Sequence, residues 1–202
     1  MSNSPAIPPI LPLSGWMTEV AGRLAAREPR IIREGTEGRR RAGVLVPLFV
    51  RDGGLWILFT RRTETVEQHR GQISFPGGAQ EAADATLWET ALRESEEEIG
   101  LAPSDAIALG SLSPIVTITN FYVEPYVAAI PQPYVFRPQE AEIAELLEVP
   151  VAALMDPGVL EKKPFPGREE LVLFYHHGEN VIWGATAKML EELLDALRAS
   201  HL

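Results

Sequence analysis

Three glutamates carry the clearest chemical signal in this chain. Glu94, Glu97 and Glu98 fall at helical spacing, directly after Arg93 and downstream of Gly77-Gly78 and Asp84. Carboxylates are hard oxygen donors of the kind that hold magnesium or manganese, and an ion so held grips phosphate and activates water. On an ideal helix, residues three and four apart share a face, so these three project together while Glu96 points away. Trp88, Leu92, Ser95 and Ile99 make a separate stripe, assigned to the core. Like charges at such spacing cost an isolated helix roughly 0.2–0.5 kcal/mol per pair, and a cation relieves that repulsion. A run of glutamates is more commonly a plain solvated helix face. The flanking glycines and helix signals favour a functional site instead.

Those helix signals are explicit. Thr86 with Glu89 three positions later is a capping-box pattern, and Gly100 is placed to stop the helix, which predicts a helix over 86–99. Upstream, 42–51 reads as a buried strand, Asp52-Gly53-Gly54 as a hairpin turn and 55–60 as the returning strand. A polar connection over 61–75 ends in Ile73-Ser74-Phe75. Downstream, 106–116 and 121–130 read as strands, and Pro125 predicts an edge or a bulge in the second. Residues 140–156 read as short helical turns. A hairpin over 171–176 and 180–183 turns around Gly178, and a last helix covers 186–199 with Met189, Leu190, Leu193, Leu194 and Leu197 inward. At the other end, 1–13 is a proline-rich extended arm, and Ser14 caps a helix to Arg27 with Trp16, Val20 and Leu24 as its stripe. Residues 28–42 read as a charged loop carrying Arg39, Arg40 and Arg41. Strands alternating irregularly with a few helices predict an α/β (α+β) fold, a mixed sheet between helices. The arm and first helix, 1–41, are expected to pack on one domain, 42–202.

Composition narrows the classes. With 202 residues, 46% of them apolar, the chain suits one domain with a sizeable core. It has no cysteine, which excludes disulfides, thiolate nucleophiles and Cys-based metal centres and agrees with a reducing compartment. The net charge of −10 and the lack of a basic stripe argue against nucleic acid as a partner. The longest apolar run, Val44 to Val50, is far too short to span a bilayer, and the first residues lack a signal peptide's basic start. The expectation is a soluble cytoplasmic protein. The terminal Ser200-His201-Leu202 is a variant of a peroxisomal address, ranked behind it. A homodimer is left open.

From Gly78 the sequence runs five residues, Asp84, eight residues, then Arg93-Glu94-Ser95-Glu96-Glu97-Glu98-Ile99-Gly100-Leu101. This resembles the Nudix hydrolase signature: Gly, five residues, Glu, seven residues, Arg-Glu-aliphatic-x-Glu-Glu-x-Gly-aliphatic. The departures are Asp84 for Glu, one extra residue before Arg93, and Ser95 for the aliphatic residue. Asp84's role is thereby left in doubt, and Ser95 is expected to weaken packing rather than metal binding. Upstream, Leu58 to Thr63 and Gly71 to Gly78 look like the additional motif of coenzyme A diphosphatases. Thr60, Arg62, Gly71, Phe75, Pro76, Gly77 and Gly78 match it in register, whereas Phe59, Thr63 and Glu67 do not. The stretches 142–150 and 182–187 are also similar to these enzymes, so the resemblance covers about residues 42–190.

The resemblance implies a Nudix-type α/β/α sandwich that hydrolyses the diphosphate of coenzyme A and its derivatives with Mg2+ or Mn2+. Glu94 and Glu98 are the first choices as direct metal ligands, with Glu97 ligating another ion or orienting a water. Arg93 is implied to pair with a carboxylate and orient the cluster, against the plainer alternative of a surface salt bridge. Arg61 and Arg62 end a strand with side chains on opposite faces, so one of them is expected to reach phosphate, and Arg62 fills the motif's arginine. Gly77 and Gly78 let backbone approach phosphate or simply form a turn. Arg70 and His69 are weaker substrate-binding candidates, and His176-His177 is expected to close a strand. Glu142 or Glu145 is a candidate general base outside the signature, each set against an ordinary surface glutamate. Other readings are ADP-ribose, a dinucleotide cofactor or an oxidised nucleotide as substrate, and, from another class, a catalytically silent nucleotide-binding module.

Overall fold

A computed structural model of the chain describes residues 15–28, 32, 36–63, 71–166 and 170–198. The first helix, α1 (Gly15–Ala25), buries Val20 and Leu24. The expected Ser14 cap and the arm lie outside the described residues. Strand β1 (Arg40–Arg51) returns as β2 (Gly54–Arg62) through a turn in which Asp52 and Gly53 both have positive φ, +52° and +75°. That left-handed pair is the turn whose twist suits a two-residue hairpin. Two short strands follow, β3 (Ile73–Ser74) and β4 (Gly77–Ala79), and then helix α2 (Leu87–Ile99).

The α2 boundaries are where the capping signals put them. The Thr86 hydroxyl accepts from Glu89 N–H at 3.2 Å while the Glu89 carboxylate accepts from Thr86 N–H at 3.3 Å. Gly100 ends the helix at φ +70°, a conformation that costs glycine nothing. Then come β5 (Ile107–Ser111), β6 (Ile115–Val116), β7 (Phe121–Ala129), β8 (Ile143–Pro150), α3 (Val151–Leu154), β9 (Leu160–Lys163), β10 (Val172–His177), β11 (Asn180–Trp183) and α4 (Gly184–Arg198).

β1 is the axis of the main sheet. It pairs antiparallel with β2 and β4 along one side and parallel with β7 along the other. Its side chains alternate between two cores: Leu45 and Phe49 join Leu87, Trp88, Ala91 and Ile99 of α2, while Val46 and Leu48 face the side of α1 and α4. The small sheet, ordered β11-β10-β9, packs into this second core through Leu173, Tyr175 and Ile182. The result is a mixed sheet between helical layers. Gly43 sets how closely α2 approaches β1, since a Cβ there would overlap the Leu87 carbonyl.

Five local expectations are corrected. The 140–156 stretch is mostly β8 rather than helical turns, because Ile143, Leu147 and Val149 alternate inward and the strand pairs with β2. The 106–116 stretch is two strands, broken at 112–114. Pro125 lies in an interior strand rather than at an edge, and the bulge alternative holds on its partner, where Ser111 pairs with Tyr126 but Ile115 with Val123; its carbonyl accepts from Leu112 N–H at 2.9 Å, so its missing donor faces that irregularity. Arg40 and Arg41 begin β1 instead of lying in a loop. Ser95 does not loosen the core either. It is wholly buried, and its hydroxyl donates to the Ala91 carbonyl at 2.6 Å.

Candidate active site

Arg93 is the hub of the site. Its Nε and Nη2 each reach an Asp84 carboxylate oxygen at 3.1 Å, and Nη2 also donates to the Ala79 carbonyl at 2.9 Å. The same guanidinium pairs with Glu94 at 2.9 Å and Glu97 at 3.2 Å. Asp84 further accepts from the Thr90 hydroxyl and the Glu81 N–H, both at 2.9 Å. The bond from Arg93 holds Asp84's carboxyl down at about 2, and the guanidinium is correspondingly held above its ordinary value. Asp84, whose role the sequence left in doubt, anchors Arg93 on the loop before α2. Thr90 is a participant that the sequence reading missed, and its helical position alone carries no such signal.

Glu98 is buried on α2, its side chain 7% exposed. Gly77 N–H donates to its Oε2 at 3.2 Å and Arg62 Nη1 to its Oε1 at 3.3 Å. Burial nonetheless pushes its carboxyl up to about 7, with Glu94 and Glu142 adding repulsion against the opposing pull of Gly77 and Arg62. Burial likewise raises Glu94, opposed by Arg93. The Glu94 carboxylate lies on Gly78: a Cβ there would come within 2.5 Å of Glu94 Cδ. Glycine at 78 is therefore a requirement of the site rather than only of a turn.

The two arginines that end β2 separate. Arg62 enters the cluster, bonding Glu98 and, through Nη2 at 3.2 Å, Glu142. Arg61 turns to Glu145 at 2.9 Å and to the Asn180 side chain on β11. The pairing of β2 with β8 slips at this point, Arg61 opposite Glu145 but Arg62 opposite Ile143, and bulges of this kind re-aim side chains. Of the two candidate bases, Glu142 therefore joins the cluster and Glu145 does not. Arg70 and His69 lie outside the described residues. His176 lies next to the end of β10, which His177 closes, and bonds Glu161 at 3.0 Å.

Five carboxyls, Asp84, Glu94, Glu97, Glu98 and Glu142, thus share two guanidiniums, Arg62 and Arg93. Among the described residues, no three acidic or histidine side chains converge on one point as oriented here. The arrangement gives the reason: Glu94 and Glu97 turn onto Arg93, and Glu98 onto Arg62 and Gly77. The donor set still suits a hard divalent cation. It is all oxygen, carries surplus negative charge, and holds one buried carboxyl that burial keeps from ionising freely.

The model of the NUDIX domain matches residues 39–172. Curated relatives called uncharacterized Nudix hydrolase NudL, from Escherichia coli strain SMS-3-5 and Shigella boydii serotype 18, are each 33% identical over 179 residues, covering 88% of this chain and 92% of theirs. Among solved structures, the NUDIX domain of Shewanella oneidensis NrtR, crystallised with ADP ribose, aligns at TM-score 0.53 and 16% identity over 88% of this chain and 96% of that one. The MutT protein of Methanosarcina mazei Go1 aligns at TM-score 0.52 and 16% identity over 79% and 96%. The two structures share the fold. The chain belongs to the Nudix hydrolase family, whose members cleave phosphoanhydride bonds and generally use divalent metal ions.

Proposed function

We propose that this protein hydrolyses the diphosphate bond of coenzyme A and its derivatives, with Mg2+ or Mn2+, to adenosine 3′,5′-bisphosphate and 4′-phosphopantetheine or its acyl form. The observation that carries metal-dependent hydrolysis is the surplus of five carboxyls over two guanidiniums around the buried Glu98. Coenzyme A as substrate is supported by the motif residues upstream of the signature, two of which, Arg62 and Gly77, sit against this cluster. Phe75 stacks on Phe59 at 4.7 Å, Ser74 bonds Thr60 at 3.2 Å, and Arg62 and Gly77 both touch Glu98.

Glu94 and Glu98 would hold the ion, with Glu97 ligating another ion or orienting a water. A bound divalent cation supplies charge neutralisation on the diphosphate and a lowered pKa for water. Arg62 moves part of its donation from Glu98 and Glu142 to a phosphate oxygen. Water attacks one phosphorus, the bridging P–O bond breaks, and Glu142 takes the water's proton. Arg93 does not meet substrate in this scheme. It holds Glu94 and Glu97 in place from the Asp84 anchor.

The decisive assay is turnover with magnesium of coenzyme A beside ADP-ribose, a dinucleotide cofactor and an oxidised nucleoside triphosphate. Coenzyme A is expected to lead. ADP-ribose exceeding it by about tenfold, a difference of ~1.4 kcal/mol in transition-state binding, sinks the substrate assignment. No turnover of any of them returns the chain to a nucleotide-binding module.

A further inference from the structure

Glu142 stands outside any helix or strand, yet its main chain is held from two sides. Residues 131–142 leave β7 and cross the C-terminal end of α2 before entering β8. The last carbonyls of a helix lack partners within it, and this strap supplies them. Gln139 N–H donates to the Glu98 carbonyl and Arg137 N–H to the Ile99 carbonyl, each at 2.9 Å. Tyr134 adds a side-chain clasp: its phenol oxygen accepts from Ala102 N–H at 2.9 Å and donates to the Gly100 carbonyl at 3.3 Å.

The link then passes to Glu142. The Gln139 carbonyl accepts from Glu142 N–H at 2.9 Å. From the opposite side, Thr63 N–H donates to the Glu142 carbonyl at 2.8 Å, and the Thr63 hydroxyl donates to the Ala141 carbonyl at 3.0 Å. The side chains close the circuit, because Arg62, next to Thr63, bonds both Glu98 and Glu142. One residue, Gln139, joins the main chains of Glu98 and Glu142, and one guanidinium joins their side chains.

We infer that Tyr134 and Thr63 are positioning residues that set Glu142 against the carboxylates of α2 by clasping the strap at its two ends. The inference rests on the reading that Glu142 accepts the proton of the attacking water. Proton transfer needs heavy atoms within about 2.6–3.2 Å, and a misplacement of ~1 Å costs on the order of 10²-fold. A strap released at either clasp loses that precision while α2 and its metal-binding face stay in place.

The test compares Tyr134→Phe, Thr63→Val and Thr63→Ser with the unaltered protein, each also in a Glu142→Gln background. The first two are expected to lower kcat by roughly 3–30-fold with KM within about twofold, and Thr63→Ser to restore it. In the Glu142→Gln background the same changes are expected to cost less than about twofold, since a mispositioned base no longer matters. Equal losses in both backgrounds, or no loss in either, overturn the inference. Amide hydrogen exchange reads the clasps without any turnover. Tyr134→Phe and Thr63→Val should speed exchange at the Gln139 and Glu142 N–H groups, and unchanged rates overturn the inference even if every substrate proves inert. Inert substrates with accelerated exchange overturn the proposed function alone.

Discussion

Glu98 and Glu192 are both partly or wholly buried glutamates on helices, one on each side of the main sheet, and their surroundings differ in kind. Glu192 of α4 accepts from Ser113 N–H at 3.0 and 3.1 Å and from the Ser113 hydroxyl at 2.8 Å, and it pairs with Arg27 just beyond α1. Its negative charge meets a guanidinium and three hydrogen bonds, and it ties α1, α4 and the 112–114 connection together. Glu98 has one backbone donor and a guanidinium that it shares with Glu142, with Glu94 close enough to repel it. A charge matched on every side holds a fold together. A buried charge left under-compensated marks where something else is meant to bind.

The largest expected difference lies in catalysis. Glu98→Gln should lower kcat by about 10²–10³-fold or more in magnesium, the scale of losing one electrostatic stabiliser, without lowering the unfolding temperature of the metal-free protein. Glu192→Gln should leave kcat within about twofold. Full turnover by the Glu98 variant would move the catalytic centre elsewhere.

pH sharpens the contrast. Glu98's folded value, about 7, lies above its ordinary 4.5, so between those values the native state binds more protons than the unfolded one. Stability from this group is then present at low pH and lost as pH rises through about 7. Metal-free wild-type protein should therefore lose up to ~3 kcal/mol over that window relative to Glu98→Gln, as measured by urea unfolding at several pH values. Saturating magnesium should remove most of the difference. Parallel pH profiles for the two proteins would refute the under-compensated state.

On the balanced side, Glu192→Ala should cost about 1.5–3 kcal/mol of stability, the range for hydrogen bonds to a charged group, and the cost should not respond to magnesium. The smallest effect separates two glycines. At Gly78 an added methyl meets the far end of the Glu94 side chain, which can swing aside, whereas at Gly43 it meets the α2 backbone. Gly78→Ala should thus cost less than ~1 kcal/mol of stability yet reduce turnover, while Gly43→Ala should cost about 1–3 kcal/mol or more. Thermal unfolding beside an activity assay distinguishes them.

Local chemistry was legible wherever one short segment contains both partners of an interaction. The Thr86–Glu89 capping box, the Gly100 stop, the turn at Asp52-Gly53 and the inward face of α4 all depend on residues within a few positions of one another. The stretch 140–156 was misread because Ile143, Leu147 and Val149 suit a short helix as readily as a strand until β2 offers its edge. For Pro125 the sequence left edge or bulge open, since the extra residue that tolerates it lies between Ser111 and Ile115, in a different strand. Glu142 and Glu145 could not be told apart in sequence, because the slipped pairing at Arg61 and Arg62 separates them.

The amino-acid order by itself determined that three acids share a face of one capped helix, next to a glycine pair and an arginine, because a 3.6-residue period and a capping pattern are local properties. Only the tertiary structure decided which charges meet: Asp84 with Arg93, Arg62 with Glu98 and Glu142, Arg61 with Glu145. Those pairs join residues up to 84 positions apart, and their geometry comes from sheet register and from burial. Burial also turns an ordinary glutamate into a carboxyl poised near neutrality, since desolvation depends on everything packed around it and on nothing beside it in the chain.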